Sequence, residues 1–296
     1  MNKSTVYKPV ITGNWWRICD MPDLHELNND NLEMHNIVDH GFYLDDDGLW
    51  HLWAAIRGTK FGHLICSWTG KSLEEGPWDY QGVVLRAEKK CGENVKPDGE
   101  ELVCAPFFIS YENIRYCFYN SKGVHWLKET EKNVFQKVLN QEGSSKSHQG
   151  GRDPMLLKIG DTWFAYSCVT TVSADNWAKS FVIVRTSKNL FDWSDFTIVS
   201  EGGIGGNGPV AAESPFVVFK NGLYYLFRAS SMTFTTFVYW SDNPYNFGVN
   251  DDSRLIAELP IKAPEIVFHN NQYYISDLSD FQGIKLAKLN WEKISK

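Results

Sequence analysis

Three carboxylates, Asp39, Asp153 and Glu213, each lie 10 or 11 residues before the start of an aromatic segment. A carboxylic acid and a carboxylate that face one substrate can act as general acid and as base or nucleophile. Carboxylates at close quarters raise one another's pKa, so such a cluster costs stability. It is therefore expected mainly where it serves a reaction. Hydrolysis of a glycosidic bond fits, with the third carboxylate tuning the acid or binding sugar hydroxyls. The alternative is that these residues only cap turns.

The three carboxylates belong to a pattern that recurs five times along the chain. Each copy has a Pro or acidic residue, an apolar stretch, a polar turn and an aromatic stretch, and the aromatic stretches begin at Trp50, Tyr116, Trp163, Tyr224 and Tyr273. Short strands repeated about every 40–50 residues are typical of a β-propeller, with one blade per copy. We therefore predict an all-β fold, a five-bladed β-propeller with four-stranded antiparallel blades. It would form a single domain over residues 1–296, in which residues 1–36 either cross the propeller or complete its last blade.

The first strands of a propeller run side by side around its axis, so their starts converge at one mouth of the central channel. Asp39, Asp153 and Glu213 are therefore predicted to face one pocket as catalytic residues. Cys104 and Lys262 take the equivalent place in the second and fifth copies. We expect both of them to contact the substrate.

Other side chains near the repeats could also bind a substrate. Trp15 and Trp16 could stack on a sugar, or pack in the core or rim. His40 could point into the channel or into the sheet, and His148 could reach the pocket or lie in a loop without a role. Two Gly-rich segments, residues 144–151 and 202–209, lead into the strands of Asp153 and Glu213, so we expect them to border the site.

Composition limits the function classes. The 296 residues include 12 Trp, 13 Tyr and 18 Phe, which suits aromatic sheets and sugar-binding surfaces alike. A net charge of −7, with both signs scattered, argues against nucleic acid as a partner. No segment is apolar enough for a membrane span or a signal peptide, so we expect no membrane partner and a cytoplasmic protein.

Cysteine and acidic residues give no sign of a metal site. The six cysteines form no CxxC pair, and we expect free thiols rather than disulfides or a zinc site. Residues 45–48 (Asp-Asp-Asp-Gly) lack the spacing of a calcium loop and are predicted as a solvated hairpin turn. The polar stretch 86–102 is predicted as a surface loop. No cofactor is expected.

Several motifs resemble those of the five-bladed propeller glycoside hydrolases, in which families 43 and 62 form one clan and families 32 and 68 another. Arg152-Asp153-Pro154 is similar to the Arg-Asp-Pro motif of the fructan-active families. Glu213-Ser214-Pro215 resembles their Glu-Cys-Pro motif and the Glu-Gly-Pro motif of family 43. Cys104-Ala105-Pro106 resembles the Trp-Ala-Pro of the second blade in family 43, and residues 187–193 resemble its Ser-x-Asp-Leu-x-x-Trp turn.

The resemblance implies a role for each residue. Asp39 would be the base or nucleophile, Asp153 the transition-state stabiliser and Glu213 the general acid. Arg152 would bind substrate hydroxyls, form a salt bridge with a carboxylate of the cluster, or both. Some relatives carry a cation in the channel, which the sequence leaves open here.

The expected function is therefore hydrolysis of arabinosyl-, xylosyl-, galactosyl- or fructosyl-type glycosides, with features of family 43 favouring inversion. At Asp39, Val38-Asp39-His40 stands where the fructan families have Asn-Asp-Pro, which speaks against sucrose or fructan. The alternatives are a non-catalytic sugar-binding propeller and a glycoside phosphorylase or transglycosidase on the same fold.

Overall fold

A computed structural model of the chain describes residues 5–139, 147–148, 151–173 and 177–294, with only the backbone described at 147 and 148. Over these residues the fold is all-β, as predicted. The helices found there are single 3₁₀ turns: His25–Leu27, Leu32–Met34, Lys89–Cys91, Gly203–Gly205 and Ser279–Phe281.

The described strands, numbered β1 to β24 along the chain, form five sheets, which we number by the chain order of the sequence repeats that they contain. The first sheet contains β2 (Asn36–Leu44), β3 (Trp50–Thr59), β4 (Gly62–Gly70), β5 (Asp79–Leu85), β6 (Asn94–Val95) and β7 (Glu101–Leu102). The second contains β8 (Cys104–Tyr111), β9 (Ile114–Ser121), β10 (Gly123–Glu131), β11 (Val134–Lys137) and β12 (Ser147–His148).

The remaining strands form three sheets. The third contains β13 (Arg152–Ile159), β14 (Thr162–Val172), β15 (Ala178–Ser187), β16 (Thr197–Glu201) and β20 (Gly248–Val249). The fourth contains β17 (Glu213–Lys220), β18 (Leu223–Ser230), β19 (Thr235–Ser241) and β21 (Leu255–Leu259). The fifth, in pairing order, is β22 (Ile266–His269), β23 (Gln272–Asp277), β24 (Gly283–Lys293) and β1 (Tyr7–Asp20).

Consecutive strands pair as antiparallel meanders, for instance β2 with β3 and β17 with β18. The fourth and fifth sheets have the predicted four strands, whereas the other three carry additional short strands. Two of these, β7 and β20, pair in parallel with β4 and β16. The N-terminal strand β1 pairs with β24, so residues 7–20 complete the last sheet.

The chain divides into two compact units. One comprises Met1–Asn14, Met155–Asp277 and Ala287–Lys296, and it contains the fourth sheet and most of the third. The other comprises Trp15–Pro154 and Leu278–Leu286, and it contains the first and second sheets.

The aromatic second strand of each repeat lies in the core because its side chains are large and apolar. Every residue of β18 is buried, and the first seven of β3 are buried. All six cysteines are buried and free, as predicted. Among the described residues, no helix is long and apolar enough to cross a membrane.

The stretch 86–102 is more than the predicted surface loop, because buried acids tie it to neighbouring strands. The side chain of Glu93 is fully buried and accepts hydrogen bonds from the Tyr119 hydroxyl and, at 2.6 Å, from Lys137 Nζ. Glu101 pairs with Arg86. A polar composition predicted exposure here, but charge pairing allows these acids to be buried.

The turn at residues 45–48 is organised by one buried carboxylate. Asp45 Oδ1 accepts hydrogen bonds from the backbone N–H groups of Asp47 and Leu49 at 3.0 and 2.9 Å. Its Oδ2 lies 3.2 Å from His51 Nε2 and 3.1 Å from Asn133 Nδ2. The predicted solvated turn is therefore correct for the exposed Asp46 but wrong for Asp45, which is 6% exposed.

Replacing Asp45 by Ala should lower the free energy of unfolding by about 2–4 kcal/mol, because several buried donors lose their acceptor. Urea denaturation measures this change. Asp46→Ala is the matched control, because the Asp46 side chain is 93% exposed, and it should change stability by less than about 0.5 kcal/mol. Equal losses of unfolding free energy in the two variants would contradict the conclusion that Asp45 organises the turn.

The effect of Asp45 should also depend on pH. Burial alone would raise the pKa of this carboxyl, but hydrogen bonds from Leu49, Asn133, His51 and Asp47 outweigh it and hold the pKa well below its usual range. A lowered folded pKa contributes stability above the unfolded value of about 3.9, and this contribution is lost as the pH falls. The difference in stability between wild type and Asp45→Ala should therefore be constant near neutral pH and shrink below about pH 4.

Candidate active site

A left-handed backbone residue lies within, or shortly before, the first strand of each of the five repeats. These five residues have positive φ and are not glycine: Asp39 (28°), Ala105 (52°), Asp153 (55°), Ser214 (42°) and Ala263 (43°). In four of the copies a Pro follows, and in the first copy His40 follows. Non-glycine residues in this conformation cost about 1–3 kcal/mol and cluster at functional sites.

In three sheets the pairing shows that this residue belongs to a β-bulge. Val38 pairs with Ala55 and His40 with Ala54, so Asp39 is the extra residue of β2. The same one-residue excess occurs between Cys104 and Phe107 of β8 and between Glu213 and Phe216 of β17. A bulge redirects side chains at the end of a ladder, which suits residues that must leave the sheet to meet a ligand.

The bulges correct one detail of the sequence alignment. Asp39 and Asp153 occupy the left-handed position itself, whereas Ser214 occupies it in the fourth sheet. Glu213 therefore stands one residue earlier, where the pairing aligns it with Val38 and Cys104. Counting back from the aromatic strands missed this offset because the hairpins differ in length. All three carboxylates are partly exposed.

In the unit that contains residues 15–154, Asp39 and Asp153 both influence the pKa of one thiol, that of Cys104. Burial raises the pKa of Cys104 well above its usual range, and the charges of Asp39 and Asp153 raise it further. Asn120 Nδ2 donates a hydrogen bond to Cys104 Sγ at 3.4 Å. The structure thus brings two of the three predicted catalytic residues to the same neutral side chain. Cys104 itself is only 8% exposed, so its predicted contact with substrate stays a prediction.

The starts of β2 and β8 lie side by side because Gly41 has no side chain. A Cβ atom at Gly41 would overlap the carbonyl oxygen of Pro106. This close approach sets the β2 backbone directly against the bulge of β8 and explains how the charge of Asp39 reaches Cys104.

Arg152 forms an ion pair with its neighbour, with 3.5 Å between Arg152 Nη1 and Asp153 Oδ2. This is the salt bridge that the sequence left open, and the Arg152 side chain remains 27% exposed. Its charge also lowers the pKa of Cys104, opposing the two carboxylates.

Three other candidates lie in environments that favour packing. His40 is 2% exposed, and burial lowers its pKa to about 3. Trp15 and Trp16 are half-buried on β1, and Trp16 Nε1 donates to the Leu73 carbonyl at 2.8 Å. The side chain of His148 lies outside the described residues. A role for any of them in binding substrate stays a prediction.

Glu213 and Lys262 belong to the other unit, where sequence reasoning missed a buried arginine. Arg228 is 1% exposed and donates to Ser200 Oγ at 3.0 Å, to the Gly202 carbonyl at 2.8 Å and to the Tyr239 hydroxyl at 3.2 Å. Tyr239 in turn donates to Asp252 Oδ1 at 3.2 Å. A charged residue within the otherwise apolar strand β18 was the available signal.

This network fixes the Gly-rich segment that leads to Glu213. Asp252 Oδ2 accepts from the Ile204 N–H at 2.9 Å, and Ser180 Oγ donates to the Gly208 carbonyl at 3.0 Å. Ser180 Oγ also accepts from the Ala212 N–H at 2.8 Å, immediately before Glu213. These bonds hold the Gly-rich segment against the start of β17. That residues 202–209 border a substrate site stays a prediction.

Arg228→Met should lower the free energy of unfolding by about 2–4 kcal/mol, because the Ser200 hydroxyl and Gly202 carbonyl lose a buried donor. Arg254→Met is the matched control, because Arg254 is partly exposed and pairs with Asp242 at the surface. Thermal denaturation compares the two variants. A loss for Arg254→Met as large as that for Arg228→Met would refute the network as the cause.

No protein-family model matches this sequence, and a search of curated proteins gives no match. Solved structures do match. A thermostable family-43 glycoside hydrolase gives a TM-score of 0.62 at 14% identity, over 91% of this chain and 96% of the other. CoXyl43, a family-43 β-xylosidase/α-arabinofuranosidase from a compost metagenome solved with xylotriose, gives 0.61 at 16% identity, over 88% and 95%. The family-32 β-fructofuranosidase BmSUC1 of Bombyx mori gives 0.58 at 14% identity, over 87% and 61%.

The resemblance to the propeller glycoside hydrolases is confirmed. Identities this low show the fold alone, and the likeness extends over nearly the whole chain. Among the described residues, no group of three or more His, Cys, Asp or Glu side chains is arranged to hold a metal ion.

Proposed function

We propose that the five sheets are the blades of one five-bladed propeller and that the chain is a glycoside hydrolase. The observation that carries this proposal is that the charges of Asp39 and Asp153 both act on the Cys104 thiol, from strand starts at which each of the two carboxylates has a left-handed backbone. The corresponding bulge of the fourth sheet begins at Glu213. The fold likeness supports the same conclusion.

In this proposal Glu213 is the general acid. It would protonate the glycosidic oxygen as the bond to the anomeric carbon breaks. The hydrogen bond from the Ala212 N–H to Ser180 Oγ fixes the backbone immediately before Glu213 and so limits the positions of its carboxyl group. Catalytic groups must be positioned in this way before the reaction begins.

Asp39 is then the base that activates water, or the nucleophile, and Asp153 stabilises the positive charge that develops on the sugar ring. The ion pair with Arg152 orients the Asp153 carboxylate. The neutral Cys104 thiol adds no third negative charge to these two carboxylates. No metal or cofactor is needed for this chemistry.

The proposed substrates are oligosaccharides or polysaccharides with terminal or branching pentosyl units, with galactosyl and fructosyl units as alternatives. A family-43 relative by fold acts on β-xylosides and α-arabinofuranosides by its name and was solved with xylotriose. The family-32 likeness and the Arg152-Asp153-Pro154 motif keep fructosides in the group to be tested.

Glu213→Gln should lower kcat on a cleaved nitrophenyl glycoside by about 100- to 10,000-fold, because an amide cannot donate the proton. The screen uses nitrophenyl arabinosides, xylosides and galactosides, together with fructose-containing oligosaccharides. The loss should be smaller with a dinitrophenyl leaving group, which departs without protonation.

Glu265→Gln is the matched control for this substitution. Glu265 is also a partly exposed glutamate near the start of a first strand, but it lies beyond the left-handed residue. Its variant should keep the wild-type rate within a few-fold. Unchanged turnover in Glu213→Gln would remove Glu213 from the role of acid, and no cleavage of any substrate by wild type would overturn the hydrolase assignment.

The stereochemistry of the product tests the role of Asp39. If Asp39 activates water, the first sugar released should have the inverted anomeric configuration, as is expected for carboxyl groups about 6.5–9.5 Å apart. Proton NMR of the fresh product distinguishes the two anomers before they equilibrate. A retained configuration would make Asp39 a nucleophile instead.

A further inference from the structure

The tip of the β18–β19 hairpin, residues 231–234, lies next to Glu213 in the register of the fourth sheet. Glu213 pairs with Ala229, and Ala229 pairs with Thr236. Ser230 and Thr235 form the next pair and close the hairpin. The tip thus begins two residues beyond the row that contains Glu213, a distance of about 6.6 Å along the strand.

The tip is held against the segment that leads to Glu213. The Ser231 N–H donates to the Val210 carbonyl at 2.9 Å. A Cβ atom at Gly208 would lie 2.9 Å from Met232 Sδ, so Met232 packs on the backbone of Gly208. The hairpin tip and the entry to β17 therefore form one structural element.

This element exposes two large apolar side chains. Met232 is 57% and Phe234 49% exposed. Phe234 has a φ of 52°, a conformation that is rare for an aromatic residue and costs free energy. Backbone strain of this kind at an exposed residue is expected where the side chain has a function.

A cation lies over the same ring. Lys262 Nζ is 4.8 Å from the centroid of the Phe234 ring. The Lys262 N–H is itself fixed by Asp277 Oδ1 at 2.8 Å. A cation over an aromatic face restricts the orientation of the ring, so Phe234 is oriented before any ligand binds.

We propose that Phe234, oriented by Lys262, is the stacking surface for the sugar on the leaving-group side of the scissile bond. An aromatic ring offers a flat apolar face, and sugar sites combine such faces with a few polar groups. The leaving-group side follows from Glu213, since the acid stands beside the oxygen that departs. The choice of the leaving-group side rests on the proposed function, whereas the binding of a sugar to the Phe234 ring does not.

The test measures binding of a disaccharide and of its single sugars. Isothermal titration uses xylobiose, α-1,5-arabinobiose and β-1,4-galactobiose, with xylose, arabinose and galactose, on a Glu213→Gln background so that no ligand is consumed. Phe234→Asn removes the ring but keeps the backbone, because Asn tolerates a left-handed conformation. It should weaken binding of the disaccharide about tenfold and leave the single sugar that occupies the other subsite unchanged.

Phe219→Ala is the matched control. Phe219 is 51% exposed on the same first strand β17, but it lies at the end of the strand away from Glu213. Its variant should bind every ligand as the background protein does. Lys262→Met should weaken the disaccharide by a smaller factor, since the ring remains.

The outcomes separate the inference from the proposed function. Equal affinities of Phe234→Asn and Phe219→Ala for the disaccharide, or no binding of any saccharide, would overturn the inference. A tenfold loss for Phe234→Asn alone supports it, even if wild type cleaves nothing. In that case the hydrolase assignment fails while the sugar-binding surface stands. Melting temperatures equal to that of the background protein would exclude unfolding as the cause.

Discussion

The left-handed residue at the beginning of each first strand is the constraint on which the candidate site depends. In the first, second and fourth sheets this residue interrupts the ladder with a bulge, and in four copies the following Pro has no N–H group with which to resume it. At a bulge, side chains no longer alternate strictly between the two faces of the sheet. Carboxylates can therefore stand at the ends of strands that are otherwise buried and apolar. A regular strand would place such residues either in the core or between the sheets.

A strained backbone persists only where its surroundings determine it, and the surroundings differ between copies. In the first sheet the absence of a side chain at Gly41 lets β2 lie directly against the carbonyl of Pro106. In the fourth sheet, hydrogen bonds from Ser180 and Arg228 hold the segment that precedes Glu213. The same local conformation is thus stabilised by close packing in one place and by buried polar groups in another.

Sequence predicted the parts of the fold that depend on pattern. Aromatic second strands, polar turns and carboxylates near strand starts recur along the chain, so the all-β class followed from the pattern. The catalytic roles of Asp39, Asp153 and Glu213 stay predictions. A pattern does not reveal a bulge, and for this reason the offset of Glu213 appeared only in the pairing. Partners distant in sequence were also invisible. The burial of Glu93 depends on Lys137, 44 residues away, and that of Arg228 on Gly202.

The charges of Asp39 and Asp153 both act on the neutral thiol of Cys104. An ionised group at that position would add a third negative charge to Asp39 and Asp153, whereas a large apolar side chain would offer Asn120 no acceptor. A buried thiol is small and stays protonated because burial and both carboxylates raise its pKa. Arg152 supplies the compensating positive charge from the side of Asp153. Charge balance on this half of the proposed site therefore involves one cation, Arg152, and one neutral group, the Cys104 thiol.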